Sequence, residues 1–584
     1  MLVSWPAHAF DRIRTEPFTE AMDSDSLWAH ETKRRRSALA CNTCRGRRTK
    51  CDGRRPKCSF CVERGKECVY QEAQDLTPSP LKTELSRLWE QLDHITAVLQ
   101  GQPSLNSPSE SAGHEPGPSD PSVASSGFPF MILRSQAFMN MTGLEQSLSV
   151  MFEHVERGRE AIPAHSSGAN IVVVNLEDAG MLLNAYMDHI HIWYPILPTD
   201  YTDEFIQATS ACFLPSVSSC LALLVLAIGC VVGCESIADA RHRGPESVYI
   251  DAAMGMLPCV LADSSPSSAQ CLLLIALYHL CYARPCQAHD FVAMASYKVQ
   301  NCLANELDVE SDPVQRSIVA NCFWSALLME SEITVQLDLL DSGIWSMTSV
   351  APAPTSSPIW SRNSSPPPEP RIPTRDFSYF VAEIAMRKML QRCTWSTSTL
   401  AHGSHVYAPI VAAELERQLD EWVQFLPEHL LFSAPPVPGI IGSSPRWNSN
   451  SAQADFLGAQ YYAFKASIYW PAVYEAINAG HANMELLRHC SNFFTSYAAF
   501  IPSASAAVAV CKPNLWTLCT SVFTISMAAL AGMMEPCLLG IIPPEAVTGL
   551  DLAIRVFDGV AEVSPSLDEM GAILKERIHL YRCN

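Results

Sequence analysis

The chain has 584 residues and a formal net charge of -20. That length predicts several domains, and 48% hydrophobic residues excludes wholesale disorder. Spread evenly, the acidity would exclude a nucleic-acid binder. It is not even: Glu31 to Tyr70 holds 13 Lys/Arg against 4 Asp/Glu, a +9 module on a -29 remainder.

Residues 1–36 read as a disordered tail with a basic end. Met1 to Arg14 lacks the continuous apolar run of a secretory signal, which predicts a reducing, cytosolic or nuclear compartment. Four consecutive cations, Lys33, Arg34, Arg35 and Arg36, suit nuclear import or an arm that grips phosphate.

Six of the 22 cysteines follow, at Cys41, Cys44, Cys51, Cys58, Cys61 and Cys68. The pattern Cys-x2-Cys-x6-Cys occurs twice, with Pro56 in the connector. Two cysteines with two residues between them can bind one metal from a single turn, and thiolates select zinc or another soft metal. Six thiolates satisfy two tetrahedral zinc ions only if two sulfurs bridge. The other 16 cysteines lie between Cys212 and Cys583, mostly in apolar stretches, where a thiol behaves as a small hydrophobe.

Ala40 to Tyr70, ACNTCRGRRTKCDGRRPKCSFCVERGKECVY, resembles the fungal Zn₂Cys₆ binuclear zinc cluster family of transcription factors. The resemblance covers residues 37–68 as the DNA-binding domain. It implies two zinc ions bound by all six cysteines, with Cys41 and Cys58 bridging. It implies a short helix near Asn42–Arg48 that enters the major groove of double-stranded DNA and reads a CGG-type triplet. Arg47 and Arg48 are the candidate base contacts, because guanine offers two acceptors to one guanidinium. Arg45, Lys50, Arg54, Arg55 and Lys57 are candidate phosphate contacts, which position without specifying.

Residues 69–80 form a spacer ending in Thr77-Pro78-Ser79-Pro80. In residues 81–100, Leu81, Leu85, Leu88, Leu92, Ile95 and Leu99 alternate steps of four and three, an a/d seam over about three heptads. The seam predicts a short coiled coil and a homodimer whose spacer sets the distance between half-sites; the alternative is an amphipathic helix packed on the acidic body. Residues 101–127 are a Ser/Pro-rich linker.

The rest predicts a large all-α body, giving a mainly α protein overall. Residues 128–347 show helical spacing at Leu176–Met187, Leu221–Cys234, Glu246–Ala262, Ala269–Cys281, Ala288–Leu307 and Val314–Gln336. Residues 348–374 are a Pro/Ser-rich loop, and helices resume in residues 375–584, including Tyr379–Cys393, Ala408–Phe425 and the charge-free Leu515–Met534. Tyr186–Phe205, Ser267–Glu310 and Arg316–Ile344 resemble the fungal-specific transcription factor, or middle homology, domain that commonly follows such a cluster. The apolar run Leu221 to Cys234 is too short for a membrane span and predicts a buried core helix.

No GxSxG, HExxH, GxGxxG or phosphate loop occurs in the body, and nothing there points to an enzyme. The resemblance therefore implies a nuclear, sequence-specific transcription regulator working with the transcription machinery or coactivators. Activation by RNA polymerase II of a metabolic or secondary-metabolite gene cluster is the commoner outcome in the family. A repressor of the same class and a zinc-dependent interaction module without DNA specificity are the alternatives.

Overall fold

The computed structural model describes residues 43–44, 47, 49, 57–66 and 68 of the cysteine-rich module. Beyond it, the structure describes residues 133, 136–160, 172–198, 200–233, 246–306, 313–337, 339–354, 377–400, 409–432, 451–560 and 562–583. Among the described residues there is no strand, as the mainly α reading expects. The module and the body are separate compact units.

Among its described residues the module shows the short helix α1 (Ser59–Glu63). The body begins with α2 (Gln136–Thr142), α3 (Leu148–Arg157), α4 (Leu176–His189), α5 (Tyr201–Ser210) and α6 (Val217–Gly233). It continues with α7 (Glu246–Gly255), α8 (Leu257–Ala262), α9 (Pro266–Cys281), α10 (Pro285–Glu306) and α11 (Pro313–Thr334). After the Pro/Ser-rich stretch come α12 (Ser378–Leu400), α13 (Pro409–Gln424), α14 (Ala452–Ala479) and α15 (Met484–Val510). The last three are α16 (Leu515–Met533), α17 (Pro544–Gly559) and α18 (Pro565–Cys583).

One expectation fails. Glu246–Ala262 is not a single helix but α7 and α8, with Met256 capping the second. Pro258 enters at the first turn of α8; its ring cannot donate an N–H and clashes with the preceding turn, so the pair of helices replaces a continuous one. Residues 348–354, at the start of the expected loop, are turn and coil.

Helix α6 is the hub of the first half: α4, α5, α7 and α9 all pack on it. A helix covered on several sides needs apolar residues all round, which is why α6 carries no charge and little amphipathic patterning. It approaches α4 closely, where a Cβ built on Gly229 would stand 2.3 Å from the Leu182 carbonyl oxygen. Backbone cannot move aside as a side chain can. Gly229→Ala should therefore push α4 off α6 and cost about 1–3 kcal/mol of stability, read by denaturant unfolding. An unchanged midpoint would show that the two helices are not held at this distance.

Helices α15 and α16 are long and apolar enough to cross a bilayer, but the apolar stretch of α16 is almost wholly buried inside the protein. Protein, not lipid, covers it: α14, α15, α17 and α18 pack around α16. Helix α14 starts where the Ser451 side chain accepts the Ala454 N–H and ends at Gly480, whose φ of +65° turns the chain away.

One continuous apolar core runs from Leu133 to Ile578. Aromatic rings join distant segments across it. Phe138 meets Trp470 edge-on at 5.9 Å, and Trp193 meets Tyr379 and Phe456 at 5.2 and 5.5 Å. His191, beside His189 in sequence, is buried against the Tyr186 ring, and Tyr194 donates to the Asn514 side chain at 2.8 Å. These residues pack rather than ligate.

Two buried polar clasps tie segments of the body together. Glu156, wholly buried on α3, accepts from the Ser566 hydroxyl at 2.6 Å, from the Ser564 hydroxyl and from Arg159 at 3.0 Å. Arg159 also donates to the carbonyls of Ala283 and Val563 at 2.6 and 3.2 Å. Glu330 on α11 accepts from Ser296 at 2.8 Å and from the Ser342 N–H and hydroxyl at 2.7 and 2.6 Å. Burying these carboxyl oxygens is tolerated because each such donor replaces a lost hydration bond.

Candidate metal centre and nucleic-acid interface

The second half of the module shows how a short sequence brings thiols together. Cys58 is extended and caps α1, so its N–H lies outside the helix and donates to the Cys68 sulfur at 3.3 Å. One turn later the chain reverses. The Gly65 N–H bonds the Val62 carbonyl at 3.3 Å and the Lys66 N–H bonds the Cys61 carbonyl at 2.9 Å. This is a Schellman closure, and it demands the left-handed φ of +57° that Gly65 supplies. The reversal carries the chain back so that Cys68 reaches the start of the helix.

The first half repeats the theme. Thr43 and Cys44 are helical, and the Thr49 N–H bonds the Cys44 carbonyl at 3.1 Å. That bond spans five residues, as does the one from Lys66 to Cys61. The duplication seen in the cysteine spacing thus extends to the backbone.

The two halves converge. The ligand atoms of Cys44, Cys58 and Cys61 all lie within 4.8 Å of one another, and all three residues are buried. The Cys44 and Cys58 sulfurs are 3.6 Å apart. A disulfide would need about 2.05 Å. Two thiolates on one tetrahedral zinc, each at about 2.3 Å, would stand about 3.8 Å apart. The observed separation fits shared metal ligation, and none of the described cysteines is in a disulfide. Phe60 packs on the thiols, and the Arg64 guanidinium lies 5.6 Å from the Phe60 ring centroid.

Arg47 and Lys57 are exposed, as base and phosphate contacts require; so are Arg64 and Lys66. The last two had no assigned role in the sequence reading, although they contribute to the +9. Their signal was position, between the fifth and sixth cysteines. Cys41, Cys51, Arg45, Arg48, Lys50, Arg54 and Arg55 lie outside the described residues. So do Lys33, Arg34, Arg35, Arg36, the seam from Leu81 to Leu99 and the linker of residues 101–127.

Residues 39–76 match the model of the fungal Zn(2)-Cys(6) binuclear cluster domain. The chain is similar to "Putative transcription factor ecdB" of Aspergillus rugulosus, 32% identical over 573 residues, covering 93% of this chain and 98% of that protein. It is also similar to "Transcription factor FBD3" of Gibberella moniliformis, 36% identical over 105 residues, 16% of this chain and 14% of that protein. No solved structure matches the chain.

Proposed function

Because the chain belongs to the fungal Zn(2)-Cys(6) transcription factors, DNA-binding regulators rather than enzymes, we propose that it reads CGG-type triplets in the nucleus through a two-zinc cluster. The convergence of Cys44, Cys58 and Cys61 inside a strongly basic segment carries this reading. Cys41, Cys51 and Cys68 complete the ligand set, with Cys41 and Cys58 bridging. The metal, when bound, neutralises thiolate charge and pins both halves of the module. The protein's own part is to aim cations at DNA.

Six thiolates and two zinc ions sum to a formal -2, which the local +9 outweighs. The module therefore stays attractive to phosphate while the acidic body does not compete for it. Arg47 and Arg48 read bases, and Arg45, Lys50, Arg54, Arg55 and Lys57 hold phosphates. Lys33–Arg36 serves import or grips the backbone. The seam from Leu81 to Leu99 joins two copies, so two triplets are bound at a spacing set by residues 69–80. The helical body acts as the regulatory domain that engages coactivators, and the output is activation of a metabolic or secondary-metabolite gene cluster.

Selection of binding sites from a random duplex library by the full-length protein tests this reading. It should recover paired CGG-like triplets at one spacing, and only without chelator. Arg48→Ala should then relax the preference at one triplet position by about 1–3 kcal/mol while nonspecific affinity changes less. Equal weakening on all duplexes would make Arg48 a phosphate contact instead.

A further inference from the structure

Helices α13 and α15 each pack on α14. Between them lies a cleft of about 320 Å³, a size typical of small-molecule sites. Its floor is α14, presenting Tyr461, Tyr462 and Lys465. Phe432, beyond the end of α13, closes it on one side. The α15 side presents Asn492, Thr495 and Ser496.

The aromatic surface is built in advance of any ligand. The ring centroids of Phe432 and Tyr461 are 5.2 Å apart, those of Phe432 and Tyr462 5.8 Å, and those of Tyr461 and Tyr462 5.0 Å. Phe432 can lie flat on α14 because residue 458 is glycine; a Cβ there would meet Phe432 carbons at 3.2 Å. Such mutually packed rings cost little to order on binding, and the half-buried Phe432 leaves aromatic surface that suits another flat ring.

The charges at the floor already satisfy one another. Lys465 Nζ is 3.0 Å from Glu416 and 3.5 Å from Asp420, and the Tyr461 hydroxyl donates to Asp420 at 2.8 Å. Two carboxylates thus face one ammonium. Burial works to raise the Glu416 carboxyl, but donors from Tyr469 and Lys465 hold it below its ordinary value, so it stays ionised. Among the described residues at the floor, two carboxylates outnumber the single ammonium, which both already engage.

We propose that this cleft binds a small planar aromatic molecule, neutral or cationic, whose ring rests against Phe432 and Tyr462 and whose polar edge faces Asn492 and Thr495. An anionic analogue of the same shape is rejected by the excess carboxylate. The site supplies the body with a ligand to sense.

Indole, tryptamine and indole-3-acetate present one ring with neutral, positive and negative character. Each is titrated into the zinc-loaded full-length protein and followed by saturation-transfer NMR at millimolar probe. Tryptamine and indole should bind saturably, and indole-3-acetate at least tenfold more weakly than tryptamine. Thr495→Trp, at an exposed position on the rim, should fill the cleft and weaken both binders at least tenfold. Thermal unfolding of the unaltered protein gives a second reading: tryptamine should raise the midpoint and indole-3-acetate should not. Absence of binding by all three probes, equal affinity for cation and anion, or unchanged affinity in a folded Thr495→Trp protein would each overturn the proposal.

Discussion

Full-length protein carrying Cys58→Ser should lose sequence-specific DNA binding altogether, whatever the zinc concentration. Cys58 does more than any other described thiol. Its sulfur lies 3.6 Å from Cys44, it joins Cys61 in the buried cluster, and its backbone N–H holds the Cys68 sulfur. Serine keeps the N–H but offers a hydroxyl where a soft thiolate is needed. Among the described residues the module's core is three cysteines with Phe60 and Cys68 packed on them, little apolar surface to bury, so metal ligation supplies folding energy, about 10–16 kcal/mol for a structural zinc site. Specific binding typically exceeds nonspecific binding by about 10³ or more, and that margin should vanish while a weak, salt-sensitive affinity survives. The body has its own core and should unfold at the same temperature as before. Gel-shift titration against a selected site, with and without chelator, reads the first effect and calorimetry the second. Specific binding retained by Cys58→Ser, or by chelated wild-type protein, would sink the metal-dependent reading.

The module was legible because metal ligation writes itself into spacing. Two Cys-x2-Cys-x6-Cys runs can be seen in a line of letters, and the structure brings three of those cysteines together. The body's helices were legible for a different reason: an apolar period survives translation into packing, as α6, α9, α10 and α11 show within a few residues at each end. What escaped were contacts set by tertiary closure. Nothing local pairs Glu156 with Ser564 and Ser566, some four hundred positions away. Glu330 and Glu332 stand on the same helix, yet one turns to Ser296 and Ser342 and the other to Arg387. The aromatic cleft needs α13, α14, α15 and a loop residue at once, and no periodicity announces such a meeting. Pro258 is the contrary case: its effect was local and visible, and the apolar pattern around it hid the helix break.

Arg387→Met should give the largest loss of stability in the body. Arg387 of α12 is 5% exposed and pairs with Glu332 of α11 and, at 3.2 Å, with Glu383 one turn before it. Gln460 of α14 adds a donor 3.4 Å from Glu332. Methionine preserves most of the unbranched stem but leaves two carboxyls without their cation. Breaking a buried pair in this way costs about 3–5 kcal/mol. The pH dependence separates charge from packing. Burial lifts the Glu383 carboxyl from its ordinary 4.5 to about 7 even with Arg387 beside it. A carboxyl raised on folding contributes stability that is full below its unfolded value and is lost as pH rises through the folded one. Without the guanidinium, Glu383 is lifted further, so it holds its proton where the wild-type residue has released it. The deficit of Arg387→Met should therefore be smallest near about pH 5 and widen above about pH 7. Adding Glu332→Gln and Glu383→Gln to the same protein should flatten that dependence and recover much of the loss, since neutral side chains of the same shape need no counter-charge. Denaturant unfolding of the three proteins at both ends of the pH range decides it. A deficit that does not change with pH would assign Arg387 to packing through its stem, and no deficit at all would mean that water reaches the triad freely.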